Sequence, residues 1–390
     1  MDISQKSIDS ARERLLEQSE FSDRIKYYHG SFYPTANVSP IPDLFTLRPD
    51  FMQQTGSKKF DMAASLMAFQ SSPYFPQTCQ LINPILKNQN ADFVFMVKHP
   101  FTLLLDPNSI DPSKPKKRPF LLKDKSYLFD YDLPFKKKTD VRLNGGQVIE
   151  EENKHYPKPL SAYIQALLAA GFSIEDIEEP YPPPQAGQKA DKWRKLPFAM
   201  IVHAKKMYRP HVWQKPKWPL PPEQCWINND FNKEPVITDG SPKIACVYQN
   251  YPEKKWDEAK KQGIQECAKV VLYINPVAPK KLKHKLFEEY RHFLKPGTEF
   301  IIVQEHPLYP RPYNPKDSVY TITNKSYFQK YTKKGRYEGI VSSDFKKLKS
   351  LGFEFLSLDE PKYPRVCEKE ATKFFGVIPG ALIFYTRIPS

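Results

Sequence analysis

His99 is the residue best placed by type and position to do chemistry. It follows the apolar run Phe93-Val94-Phe95-Met96-Val97-Lys98 and so stands at the end of a strand. In open α/β sheets ligands gather at the carboxyl ends of the strands. An imidazole there could act as a general base, taking a proton from an oxygen or nitrogen nucleophile. His155 and Tyr156 could reach the same edge from the segment that precedes the next helix. Against catalysis stands a second copy of the motif, because Phe300-Ile301-Ile302-Val303-Gln304-Glu305-His306-Pro307 echoes Phe93 through Pro100. A His-Pro pair used twice reads as a structural turn. The five cysteines, Cys79, Cys225, Cys246, Cys267 and Cys367, have no metal-ligand spacing, so reduced thiols and no metal are expected.

The element that would position this edge is Tyr156 to Pro184. Ser161 is a candidate N-cap. Tyr163, Ile164, Leu167 and Leu168 recur at helical spacing, and Gly171 can take the left-handed conformation that ends a helix. Phe172, Ile174 and Ile177 continue as a strand, closed by Glu178-Glu179-Pro180. The pattern returns with Phe345, Leu348 and Leu351, then Gly352, then Phe353, Phe355, Leu356 and Leu358, then Asp359-Glu360-Pro361. Nine positions separate the glycine from the proline in both copies. Two paired landmarks in the same order predict two related α/β units in tandem.

At 390 residues the chain is long enough for two domains, each with its own core. With 39 prolines against 14 glycines, long and stiffened connections are expected. The net charge of +15 leaves two readings open: a solvated basic surface, or a nucleic-acid or ribonucleoprotein partner. The lysines are spread along the chain rather than gathered in one stretch. No apolar signal core and no long apolar run occurs, so no membrane association and a cytoplasmic location are the expectations.

In chain order, Ile8, Ala11, Leu15 and Leu16 predict an amphipathic helix over 4–16, and Arg24 to Tyr28 a strand leading to His29-Gly30-Ser31-Phe32. A long loop over 33–58 precedes a strand from Phe60 to Met67, a helix from about Pro76 to Lys87 that Pro84 interrupts or ends, and the strand before His99. From His99 to Gly171 is 72 positions but from His306 to Gly352 only 46, so the first unit carries 26 extra residues, within 106–155. That insert is a candidate lid over the edge, or a solvated loop. Leu196 to Ala204 closes the first unit, and 207–235, rich in proline and tryptophan, reads as a linker. Strands over 243–249, 270–274, 298–304 and 382–386 and a helix over 281–294 make the second unit. Such alternation predicts an α/β fold with a mostly parallel sheet.

Residues 1–206 resemble the class I S-adenosylmethionine-dependent methyltransferases, entered partway through. Met1-Asp2-Ile3-Ser4 with Ile8 and Ala11-Arg12 looks like that family's second strand and helix. Phe60-Asp61 looks like its fourth strand, the run before His99 its fifth, Tyr156 to Pro184 its last helix and sixth strand, and Leu196 to Ala204 its antiparallel seventh. The resemblance implies a Rossmann-like methyltransferase sheet with S-adenosyl-L-methionine as cofactor. Asp2 would hold the ribose hydroxyls, Ser31 and Phe32 would meet the adenine, and Ala64, Ser65 and Leu66 would lie beside the sulfonium. Each position also has a plain reading, Asp2 as a carboxylate at a helix start and the others as loop or core packing.

One departure matters most. The family's first strand and glycine-rich loop should precede Asp2. Gly145-Gly146 is isolated and Asp239-Gly240 precedes a strand, so neither replaces that loop. Truncation, a sheet closed without the strand, or a strand from another chain would each account for this. The second unit, 236–390, resembles a degenerate methyltransferase half. Methyl transfer to a small molecule is thus the functional expectation. The alternative is a catalytically inactive methyltransferase-like scaffold or nucleic-acid-associated subunit.

Overall fold

The computed structural model describes residues 9–10, 12–13, 59–101, 135–142, 148–156, 158–180, 197–207, 236–237, 242–249, 258–274, 280–306, 310–312, 320–322, 329–330, 337–338, 340–360 and 381–390. Asp2, Ser31, Phe32, the strand expected over Arg24 to Tyr28 and the linker beyond residue 207 lie outside them.

The chain enters the first sheet through β1 (Met62–Leu66), then runs through α1 (Phe75–Ile85), β2 (Asp92–Lys98), the hairpin β3 (Phe135–Arg142) and β4 (Val148–His155), α2 (Leu160–Ala169), β5 (Phe172–Glu178) and β6 (Ala199–Lys206). The strand order is β1-β2-β6-β5. β1 and β2 pair in parallel, and β6 inserts antiparallel to both β2 and β5. Continuing, β7 (Val236–Ile237), β8 (Ile244–Gln249), α3 (Glu258–Gln265), β9 (Lys269–Ile274), α4 (Lys280–Phe293) and β10 (Glu299–Glu305) lead into a second sheet. Four short strands follow, β11 (Pro310–Pro312) paired with β12 (Tyr320–Ile322) and β13 (Gln329–Lys330) paired with β14 (Tyr337–Glu338). The chain then finishes with α5 (Ile340–Ser350), β15 (Glu354–Asp359) and β16 (Ala381–Arg387). The second order is β15-β16-β10-β9-β8-β7, again with a reversed strand, β16, between β10 and β15.

In both sheets most strands run one way, as the α/β reading of the sequence expects; β6 is reversed in the first sheet, and β16 and the edge strand β7 are reversed in the second. The register of β5 on β6 slips between Ile174 and Asp176, and that of β15 on β16 between Phe355 and Ser357. The two irregularities fall at matching positions, three residues beyond Gly171 and Gly352 respectively. Both glycines end their helices at positive φ, 83° and 78°, where a Cβ would strain the backbone.

The core under the first sheet is aromatic. Phe93 and Phe95 of β2 point the same way, as alternate strand residues must, and meet Phe69, Phe75, Tyr163 and Phe172 with ring centroids 5.3 to 6.0 Å apart. The opposite face of β1 leaves Met62 and Leu66 largely exposed. On the second sheet both faces are buried, Val270 and Leu272 towards one side and Val271 and Tyr273 towards the other.

Three local expectations need correcting. The N-cap of α2 is Pro159 in an extended conformation (ψ 160°), not Ser161, because Ser161 already lies inside the helix. The strand expected from Phe60 begins at Met62, since Phe60 bridges instead to the end of α1, donating to Ile85 and accepting from Lys87. The insert is no plain loop: Phe135 to Arg142 and Val148 to His155 pair along their whole length as an antiparallel hairpin. Pro84 sits in the last turn of α1, which ends one residue later.

Candidate functional site

The carboxyl edge of the first sheet gathers the segment after β1, the end of β2 and the start of α2. Beyond Leu66 the backbone turns at Met67, whose φ of 55° is unusual for a residue with a side chain. That conformation costs roughly 1 to 2 kcal/mol. It is held by the Met67 N–H, which donates to Met96 at 2.7 Å, and by the 3-10 turn Phe69–Ser71 that follows. The Gln70 side-chain oxygen accepts the Lys98 N–H at 3.0 Å, and its carbonyl accepts the Tyr156 N–H at 2.7 Å. Lys158 is buried, and its ammonium donates to the carbonyls of Ser72, Phe69 (3.4 Å) and Tyr156 (3.3 Å), beneath the Tyr163 ring. The turn after β1 is therefore pinned from β2 and from the approach to α2.

Ser65 is half-buried and Leu66 is 72% exposed at the end of β1. Among the described residues these two supply one open wall, with no cradle of backbone N–H groups and no carboxylate beside them. They do not by themselves fit the cofactor that the resemblance implies. Asp2, Ser31 and Phe32 are not brought to this wall by anything described. The structure assembles Ser65, Leu66 and His99 on neighbouring strands but turns His99 away from solvent.

His99 is fully buried. Its Nε2 lies 2.9 Å from Glu179 Oε1, and its Nδ1 accepts the Phe101 N–H at 3.2 Å. A backbone N–H can only donate, so Nδ1 carries the lone pair and Nε2 the proton. Both ring nitrogens are spent, and a general base needs one that can reach a substrate. His306 repeats the arrangement with Glu360 at 2.9 Å, equally buried. Its ring meets Phe101 at 5.0 Å, while Phe101 meets His99 at 4.6 Å.

Burial pushes the His306 imidazole below its ordinary value, with Glu360 pulling it partly back. The unfolded chain therefore takes up a proton that the folded chain resists. For a base with a depressed folded value, this contribution to stability is complete above the ordinary imidazole range near 6.5 and is lost as pH falls below it. The thermal midpoint is expected to drop as pH is lowered from about 7 to about 5.5, less steeply in His306→Gln. Equal slopes for the two proteins would show that His306 is not responsible.

A second polar cluster lies buried at the carboxyl edge of the second sheet. The Asp344 carboxylate accepts from Lys283, from Gln304 Nε2 (3.1 Å) and, at 3.4 Å, from His284, while Gln304 Oε1 accepts from Lys283 at 3.0 Å. Burial alone would raise the Asp344 carboxyl, but the Lys283 charge and the hydrogen bonds from His284 and Lys283 outweigh it and hold it below the usual range. Sequence reading missed this cluster, because Lys283, Gln304 and Asp344 come from three elements and no spacing links them. It also treated Glu179 and Glu360 as mere strand ends. The signal was present, since each His-Pro is followed later in its unit by the Glu-Pro that ends a strand, Glu179-Pro180 after His99 and Glu360-Pro361 after His306.

Among the described residues no three His, Cys, Asp or Glu side chains converge as a metal site, and no helix is long and apolar enough to cross a membrane. No family model and no curated protein matches the sequence. Solved structures to which the chain is similar include ones described as S-adenosylmethionine-dependent methyltransferases. One from Listeria monocytogenes shares 24% identity, covering 38% of this chain and 62% of that one, with a TM-score of 0.26. One from Mesorhizobium loti shares 16% over the same shares of each chain, with a TM-score of 0.24. One from Clostridium acetobutylicum shares 13%, covering 53% of this chain and 73% of that one, with a TM-score of 0.29. The chain thus spans 62% of the length of the first two.

Proposed function

We propose that this protein is of the S-adenosylmethionine-dependent methyltransferase type, a tandem of two such units in which the carboxyl edge of the first sheet faces a small-molecule methyl acceptor. The observation that carries this reading is the strand order β1-β2-β6-β5 with β6 reversed, repeated in β9-β10-β16-β15 with β16 reversed. It is the order in which the sequence resemblance places the family's fourth, fifth, seventh and sixth strands. Methyl transfer depends chiefly on holding a nucleophile in line with an activated methyl, so the burial of His99 does not argue against it.

A second reading, an inactive scaffold that a nucleic acid or ribonucleoprotein could use, is favoured by a specific feature. Both nitrogens of His99 are engaged in structure, and the wall at Ser65 and Leu66 is open. Calorimetric titration with S-adenosylmethionine separates the readings. Residues 1–390 alone are expected to give no heat, because no glycine-rich turn follows an apolar strand in the sequence. A version to which an apolar strand and a glycine-rich turn are added before Asp2 is expected to bind at micromolar concentration. If the extended protein gives no heat, the scaffold reading takes over. Micromolar binding by residues 1–390 would mean that the cofactor loop is already within this chain.

A further inference from the structure

We infer that neither sheet is a self-sufficient domain, because each half's buried glutamate caps a helix of the other half and locks the two into one cooperative body. Glu179 closes β5, yet its Oε2 accepts the Ser342 N–H of α5 at 2.9 Å, 163 residues away. Glu360 closes β15, and its Oε2 accepts the Ser161 N–H of α2 at 2.7 Å, 199 residues away. The first N–H groups of a helix have no partner inside it, and a carboxylate there also meets the positive end of the helix dipole. The remaining oxygen of each glutamate takes the histidine of its own half, His99 or His306, at 2.9 Å. Each glutamate thus ties three elements together, and the side chains of both dyads are wholly shielded from solvent.

The contact is reciprocal, as in an interface between two copies related by a twofold axis. α2 packs on β15 and α5 on β5. Around the two caps, Gln165 of α2 donates to the Leu358 carbonyl at 3.0 Å, and Lys346 of α5 reaches Glu178 at 3.3 Å. The repeated His-Pro and Glu-Pro pairs are the two ends of one device used twice. As a result, the edge at His99 depends on a helix of the second half, whichever reading of the function holds.

Hydrogen exchange of the full chain, read by mass spectrometry with residue-level fragmentation, tests this. In the unaltered protein the amides of Ser161 and Ser342, near helix starts where amides ordinarily exchange fast, are expected to be as protected as those of β2 and β10. In Glu360→Ala no side-chain oxygen remains to accept the Ser161 N–H. Exchange at 160–163 in the other half is then expected to quicken at least tenfold, and in Glu179→Ala likewise at 340–344. Fast exchange of Ser161 and Ser342 in the unaltered protein would overturn the inference, and needs no variant to fold. Quickening confined to the half that carries the substitution would overturn it too.

Discussion

Asp344→Ala is expected to destabilise the full chain by about 3 to 5 kcal/mol, the cost of removing one partner from a buried ion pair. Asp344 is 1% exposed and Lys283 9%, so the ammonium left behind would sit inside the protein with Gln304 as its remaining described partner. The loss comes from the orphaned charge more than from the attraction that disappears. The double variant Asp344→Leu with Lys283→Met separates the two, since replacing a buried pair by apolar groups of similar size is often close to neutral. The measurement is the urea midpoint at constant slope. A loss under about 1 kcal/mol for Asp344→Ala would mean that water reaches Lys283 and that the cluster is not sealed.

Much of the scaffold around these groups is legible in the sequence, for a physical reason. The run Phe93 to Lys98 falls within β2, and Gly171 and Gly352 take the positive φ that their places after helices suggest. Such features are written locally: side-chain alternation sets a strand, and a helix that must stop needs a residue free of a Cβ. What depends on distant partners is not written that way. Ser161 has the residue type of a cap, but its contribution is its backbone N–H, which Glu360 satisfies from the other end of the chain. His99 likewise has the type and edge position of a general base. Only the structure shows the Phe101 N–H and the Glu179 carboxylate that use up its ring. Ser65 and Leu66 close β1, the strand that pairs with β2.

The core beneath that edge sets the other large effect. Phe95→Ala is expected to cost about 3 to 5 kcal/mol, since removing a fully buried ring loses both its transfer energy and the packing of the cavity it leaves. Phe95 is wholly buried, with ring centroids of Phe75 at 5.3 Å, Phe69 and Phe93 at 5.5 Å, and Tyr163 at 6.0 Å. Phe69 and Phe75 meet it edge to face and Phe93 and Tyr163 at a tilt, and rings interlocked in this way cannot close over a gap without giving up their own geometry, which places the loss towards the upper end. Phe95→Leu keeps most of the volume and is expected to cost about half as much or less. Leu66→Ala, one register position beyond the partner of Phe95 but 72% exposed, is expected to change stability by no more than about 0.5 kcal/mol. If Leu66→Ala instead cost as much as Phe95→Ala in a urea titration, the open wall at the end of β1 would be covered in solution. The place where the resemblance puts the cofactor would then be part of a packed interior.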